Sequence, residues 1–144
     1  MTETAQPASV PDVAAPDVAF WVGVAHWEGG RYLDAVEIFE DLWAGEVGAR
    51  RRFLQGLIHA GMGCYYLTRQ DWPSAASKLT SAAGLLANTR GDPPGVDGTT
   101  LRDGIGEARA ALERTRAVGA GHPATIPLPR LVRGGTVAED GDGD

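Results

Sequence analysis

Residues 51–69, RRFLQGLIHAGMGCYYLTR, have a helical pattern that is apolar around most of its circumference. A helix of this kind is typical of the middle of a helical bundle. Its three glycines, Gly56, Gly61 and Gly63, lower its helix propensity and indicate close approach of neighbouring backbones or of a ligand. We therefore predict that this helix is central to an all-α fold.

Apolar residues at helical spacing predict four further helices, which cover residues 17–28, 31–44, 70–88 and 101–118. Gly29 and Gly30 end the first, and Asp71 is the expected N-cap of the fourth. The last helix has a thin apolar side and is expected on the outside. No segment alternates as a strand does. The chain is expected to be a compact, mainly antiparallel bundle of about five helices.

A chain of 144 residues fits one domain. Residues 1–15 are rich in Ala, Pro and Thr and are predicted to be disordered. The helical bundle domain is expected to span residues 16–118. Residues 119–144 are expected to form an extended Pro/Gly-rich and acidic tail.

Charge and cysteine content exclude several classes of function. The net charge of −6 argues against nucleic-acid binding, which needs a basic surface. The single Cys64 excludes an intramolecular disulfide and a cysteine metal cage, and it is expected to be an inert core thiol. No signal peptide or membrane-spanning run is visible, so a cytoplasmic protein without a membrane partner is expected.

Helix 51–69 carries one narrow polar stripe, because Arg52, Gln55, His59 and Tyr66 fall within a sector of roughly 60°. The second helix should pack antiparallel to it across a short turn. We therefore expect Glu40 to face Arg51 or Arg52, and Glu37 to reach toward Gln55 or His59. The candidate polar cluster consists of Glu37, Glu40, Trp43, Arg51, Arg52, Gln55, His59 and Tyr66.

This cluster has two interpretations. It is either a paired structural network that fixes helix register, or the lining of a cleft for a small polar ligand. A hydrolase-like or metal-dependent enzyme, using the glutamates as base and His59 as acid or ligand, is a rival. A carboxylate-bridged dimetal bundle needs two Glu-x-x-His motifs, which this chain lacks. The sequence identifies no metal set, cofactor or catalytic residue.

The segments GRYLDAVEIF and QDWPSAASKL are similar at a spacing of 40 residues. The similarity pairs Tyr32 with Trp72, Ala35 with Ala75, and Phe39 with Leu79. This pattern resembles tetratricopeptide repeats and would suit an interaction module whose groove is lined by Trp21, Trp27 or Trp72. Two similar helix starts in a bundle are the simpler interpretation, because repeat arrays need about three units. Trp21 and Trp27 are also candidate contacts of a homodimer.

The motif GRYLDAVEIFEDLW followed by RRFLQGLIHAG resembles the uncharacterised all-helical family called domain of unknown function 309. The matching residues are Gly30, Tyr32, Ala35, Glu37, Glu40, Trp43, Arg51 or Arg52, Phe53, Gln55, Gly56, Leu57 and Ile58. The resemblance covers about residues 18–90 and implies a compact all-α bundle, but little about function. Val36 stands where the family has His, and His59 where it has Gln, which weakens any claim of His–Glu chemistry.

Overall fold

The computed structural model describes residues 17–87, 91–118 and 126–134. The expectations for residues 1–15, for residues 119–125 and for the acidic end of the tail lie outside the described residues. The five helices are α1 (Val18–Glu28), α2 (Tyr32–Ala44), α3 (Gly48–Thr68), α4 (Trp72–Leu86) and α5 (Gly98–Val118). The all-α prediction is confirmed, since the described residues contain no strand and only one isolated β-bridge, between Val96 and Arg133.

Helix starts follow the local sequence. An aspartate side chain accepts a hydrogen bond from a first-turn backbone N–H at three helices: Asp17 from Phe20, Asp71 from Ser74, and Asp97 from Thr100. Such caps satisfy N–H groups that have no partner within the helix. The Asp71 cap is therefore confirmed. Of the helices in the described ranges, none has the length and apolarity needed to cross a membrane.

The helices pack in chain order, α1 on α2, α2 on α3, α3 on α4 and α4 on α5. The short turns that join the first four helices make neighbours antiparallel. Helix α3 contacts both α2 and α4 and is central, and its glycines make these contacts close. A Cβ on Gly61 would lie 2.7 Å from Val36 Cγ2 of α2, and one on Gly63 would lie 2.7 Å from Leu79 Cδ2 of α4. The glycines therefore serve helix packing.

The similarity at a spacing of 40 residues extends to the turns that join the helices. The turns are residues 29–31 and 69–71. The middle residue of each has a positive φ, 81° for Gly30 and 60° for Gln70. The backbone N–H that follows donates to the α1 or α3 carbonyl five residues earlier in both cases: Arg31 to His26 at 2.8 Å, and Asp71 to Tyr66 at 3.0 Å. The two turns thus have the same hydrogen bond at equivalent positions.

The two hairpins, α1–α2 and α3–α4, are also closed by equivalent contacts. A Cβ on Gly23 would lie 2.7 Å from Phe39, and one on Gly63 would lie 2.7 Å from Leu79. In both hairpins a glycine of the first helix thus receives a large apolar side chain of the second. Ala35 and Ala75 are fully buried at equivalent positions. The similarity in sequence therefore corresponds to a repeated structural unit.

Residues 126–134, which we name the C-terminal strap, are extended and lie against the helices. Leu131 has no exposed surface and belongs to the hydrophobic core, and Pro129 is also fully buried. The sequence places this segment outside the helical domain. In the structure it completes the core that the helices form.

Candidate functional site

The polar stripe of α3 lies toward α4, not toward α2. Arg52 Nη2 donates a hydrogen bond of 3.2 Å to the carbonyl of Gly84, near the end of α4. His59 is close enough to Lys78 of α4 for that charge to affect its pKa. Gly56 and Gly63, on the same side of α3, receive Leu86 and Leu79 of α4. The stripe and the second helix are therefore not brought together as the sequence suggested.

Glu37 and Glu40 lie on the exposed side of α2. Neither carboxylate has a hydrogen bond or ion pair with any residue that the structure describes, so the expected pairing with Arg51, Arg52, Gln55 or His59 is not formed. The reason is the orientation of α2. Val36 and Phe39 are buried, which turns the two glutamates to the solvent.

Arg51 and Trp43 do come together, at the junction of α2 and α3. Arg51 Nη1 donates to the carbonyls of Trp43 and Glu46, both at 3.1 Å. Its guanidinium carbon lies 3.8 Å from the centre of the Trp43 ring, which is a cation–π arrangement. Carbonyls at the end of a helix lack partners within the helix. Arg51 therefore caps the end of α2 and joins it to the start of α3.

His59 is half-buried, and its Nδ1 atom has no hydrogen-bond partner in the described parts of the chain. Burial lowers the pKa of His59 from its ordinary 6.5, and the positive charge of Lys78 lowers it further. The imidazole is therefore neutral at physiological pH and could accept a hydrogen bond. Gln55 and Tyr66 are half-buried nearby on the same stripe.

The stripe does not hold the donors of a metal centre. Across residues 17–87, 91–118 and 126–134, no group of three or more His, Cys, Asp or Glu side chains could hold a metal ion. Cys64 is fully buried, and burial raises the pKa of its thiol well above its usual range. A protonated, inaccessible thiol is not a nucleophile.

A second candidate site lies where the C-terminal strap passes between α1 and α5. The indole Nε1 of Trp27 donates a hydrogen bond of 2.9 Å to the carbonyl of Pro129. Gly104 of α5 lets the strap come close, because a Cβ there would lie 3.0 Å from Pro129 Cα. The side chain of Leu131 is then enclosed in the core. We name this site the strap groove; its walls are α1, α5 and residues 95–97.

Glu28, the last residue of α1, holds two successive residues of the strap. Its Oε1 accepts hydrogen bonds from two nitrogens of the Arg130 guanidinium, from Nε at 2.7 Å and from Nη2. Its Oε2 accepts from the backbone N–H of Leu131 at 2.9 Å. One carboxylate thus binds both a cationic side chain and the backbone of the extended segment.

The end of the strap pairs with the loop before α5. The N–H of Asp97 donates to the carbonyl of Val132 at 3.1 Å, and the N–H of Gly134 donates to the carbonyl of Gly95 at 2.7 Å. The guanidinium carbon of Arg133 lies 3.7 Å from the centre of the Trp21 ring. These contacts extend the groove along the length of α1.

The sequence identified neither Glu28 nor the strap as part of a site. Trp21 and Trp27 were expected to line an exposed groove or a dimer contact, but Trp27 is only 1% exposed and Trp21 lies beneath Arg133. The signal in the sequence was the apolar, proline-rich segment IPLPRL, which is unusual for a solvated tail.

A surface pocket of about 210 Å³ lies between α4 and α5. Its charged lining residues are Arg109, Glu113 and Arg116, all exposed. Arg116 and Glu113 form an ion pair at 3.5 Å that is largely exposed to solvent. Such pairs are typical of a solvated helix surface and do not indicate a site.

The fold and these sites define a small all-α protein of two stacked helical hairpins with a fifth helix and a strap. Residues 20–77 match the model of the family described as domain of unknown function (DUF309), which confirms the resemblance found in the motifs. The match covers most of α1, all of α2 and α3 and the first part of α4, while α5 and the strap lie beyond it. No curated protein matches the chain.

Proposed function

We propose that the protein is a non-catalytic interaction module built from two tetratricopeptide-like hairpins. The observation that carries this proposal is the repeat at 40 residues, in which Gly23 with Phe39 and Gly63 with Leu79 make the same contact. Stacked helical hairpins present extended surfaces to which partner segments bind. The fifth helix, which packs on α4, would act as the capping element that such arrays need at their ends.

We assign Arg51 and the polar stripe of α3 a structural role in this module. Arg51 donates to the carbonyl of Trp43, in the last turn of α2, and to that of Glu46, in the turn that follows. Arg52, on the stripe, donates to the carbonyl of Gly84 near the end of α4. Each arginine thus ties α3 to a neighbouring helix. A small polar ligand is the second candidate, and the free Nδ1 of His59 is the observation that favours it.

An enzyme that uses Glu37, Glu40 and His59 has less support. The glutamates are exposed on α2, while His59 lies toward α4. A general base and a general acid must reach the same substrate, within hydrogen-bond distance of the atoms that exchange protons. The positions of Glu37 and Glu40 on α2 therefore do not allow either carboxylate to act together with His59 on one substrate.

Further expectations follow for partners and location. We propose a cytoplasmic location, because the disulfide-rich folds of oxidising compartments need several cysteines and this sequence has only Cys64. We propose no role in nucleic-acid binding, because the net charge is −6 and Arg51 and Arg52 are engaged at helix ends. A homodimer stays a prediction, but its contact would need residues other than the buried Trp27.

Selection of ligands from a random peptide display library on the full chain tests the module. We expect enriched peptides with a shared motif, whose binding persists in the His59→Gln variant. A hydrolase of similar size and charge serves as the negative-control target in the same selection. Failure to enrich any motif beyond that target would contradict the proposal.

Elemental mass spectrometry of untagged protein tests the role of the stripe. We expect no stoichiometric metal in the wild type or in Glu40→Ala. A metal that is present in the wild type and lost in Glu40→Ala would refute the structural role and support the metal-dependent enzyme.

A further inference from the structure

The C-terminal strap lies in its groove in the manner of a bound peptide. We propose that the strap groove is a docking site for an extended basic segment of a partner protein, with the pattern Arg-Leu-x-Arg, and that the strap is its resident competitor. This inference rests on the proposed interaction function and names the site and the chemistry of its ligand.

The groove binds mainly the backbone of the strap. Trp27 donates to the carbonyl of Pro129, and Glu28 accepts from the N–H of Leu131. The backbone of residues 95–97 supplies one donor and one acceptor to residues 132 and 134. Peptide receptors that add an extended segment to an exposed edge use this arrangement, in which main-chain bonds provide affinity and alternate side chains provide specificity. Any extended segment can offer the same backbone groups.

Three side chains of the strap would set the specificity. Leu131 fills an apolar site in the core and has no exposed surface. Arg130 pairs with Glu28, and Arg133 lies over the Trp21 ring. Residues 130, 131 and 133 thus define the pattern Arg-Leu-x-Arg.

Charge favours a basic occupant. The side chain of Glu28 is 26% exposed with the strap in place, and an occupant without a cation opposite it would leave this carboxylate without its ion-pair partner. The aromatic face of Trp21 also favours a cation. The net charge of −6 would attract a basic segment over a longer range.

The helix pairs α1–α2, α2–α3, α3–α4 and α4–α5 have packing contacts of their own. A strap that leaves uncovers the core site of Leu131, which a replacing segment must fill. The outer side of the strap faces solvent, since the side chain of Arg130 is 65% exposed and Leu128 is 40% exposed. A tethered strap competes at an effective concentration in the millimolar range, so weakening it should raise the affinity for a peptide in trans.

The test uses a fluorescein-labelled peptide with the sequence of residues 126–134, IPLPRLVRG, and fluorescence anisotropy with the full chain. We expect Arg130→Ala to bind the peptide about threefold more tightly than the wild type, because the competing strap loses its ion pair. We expect at least about tenfold for Leu131→Ala, because the strap loses its buried anchor. Leu128→Ala is the matched control and should bind as the wild type does. Circular dichroism checks that each variant keeps its helices.

Two further measurements identify the binding site and the occupant. The labelled peptide with the substitution Leu131→Asp should bind at least about tenfold more weakly than the unsubstituted peptide. Adding Glu28→Gln to Arg130→Ala should remove the gain in affinity. Equal binding by wild type, Arg130→Ala and Leu131→Ala would overturn the proposal, as would tight binding of the Asp peptide. A wild-type dimer that Leu131→Ala dissociates would assign the groove to a second copy and also overturn it.

The proposed module and the groove fail in different ways. Peptides enriched from the display library that bind the chain but do not compete with the strap peptide would support the module and refute the groove. Absence of any enriched motif would refute the module itself.

Discussion

The indole N–H of Trp27 donates a hydrogen bond of 2.9 Å to the carbonyl of Pro129, a residue 102 positions later in the chain. The tryptophan is in the first hairpin, and the proline is in the strap beyond the last helix. The bond is buried, so both of its groups would lack a partner if the strap moved away without a replacement. This contact joins the two ends of the described fold.

Replacing Trp27 by Phe should lower the free energy of unfolding by about 1–3 kcal/mol, because the buried carbonyl of Pro129 loses its donor. Urea unfolding followed by circular dichroism measures the change. Trp72→Phe makes the same chemical change at a half-buried residue without such a bond and should cost less. Equal losses would show that the indole hydrogen bond does not contribute.

Replacing Gly63 by Ala should destabilise the second hairpin. The added Cβ would lie 2.7 Å from both Cγ and Cδ2 of the fully buried Leu79, and overpacking of this kind costs about 1–3 kcal/mol. Gly106→Ala is the control, since its Cβ would meet nothing within 4 Å beyond the adjoining backbone of α5, and it should stabilise α5 by up to about 1 kcal/mol. Thermal unfolding measures both effects: the midpoint temperature should fall for Gly63→Ala and rise for Gly106→Ala. A stabilised Gly63→Ala would contradict the close approach.

Asp97 should make the stability depend on acidic pH. Hydrogen bonds from the side chain and backbone of Thr100 hold the pKa of Asp97 below its ordinary 3.8. A lowered folded-state pKa contributes stability above the unfolded value, and this contribution is lost as the pH falls through the folded value. Asp97→Asn should therefore unfold more easily than the wild type at neutral pH and equally easily at the lowest pH. A difference that persists unchanged in acid would refute the role of this carboxylate.

His59 should produce a pH dependence in the mildly acidic range. Its folded-state pKa is lowered from 6.5, so the unfolded chain binds the proton more tightly than the folded chain does. The free energy of unfolding should consequently fall as the pH drops below 6.5. Urea unfolding between about pH 8 and about pH 5 measures the slope. His59→Gln should reduce the slope, and Lys78→Met should reduce it by less.

Local patterns in the sequence predicted most of the helical architecture. The apolar circumference of residues 51–69 identified α3 as the central helix, and Asp71 marked the start of α4. These features depend on spacing within one segment, which helix periodicity and capping chemistry set. The repeat was visible in residues such as Ala35 and Ala75, but its equivalent turns and glycine contacts became clear only in three dimensions.

The site was harder to predict, because periodicity tells which residues share a face but not which helix that face meets. Arg52 and His59 do share a stripe, yet the stripe lies toward α4, and the glutamates of α2 point to solvent. The choice between two neighbours depends on how all the apolar faces are buried together. No local spacing specifies that outcome.

The amino-acid sequence by itself determined the all-α class, the order of the helices and the Asp71 cap, because these depend on contacts within a few residues. The tertiary structure alone decided the place of the C-terminal strap. Trp27, Glu28 and Gly95 acquire their partners there only when segments far apart in the chain are folded against each other. Burial of Leu131 in a core that the helices leave incomplete provides the apolar contact that holds the strap in place.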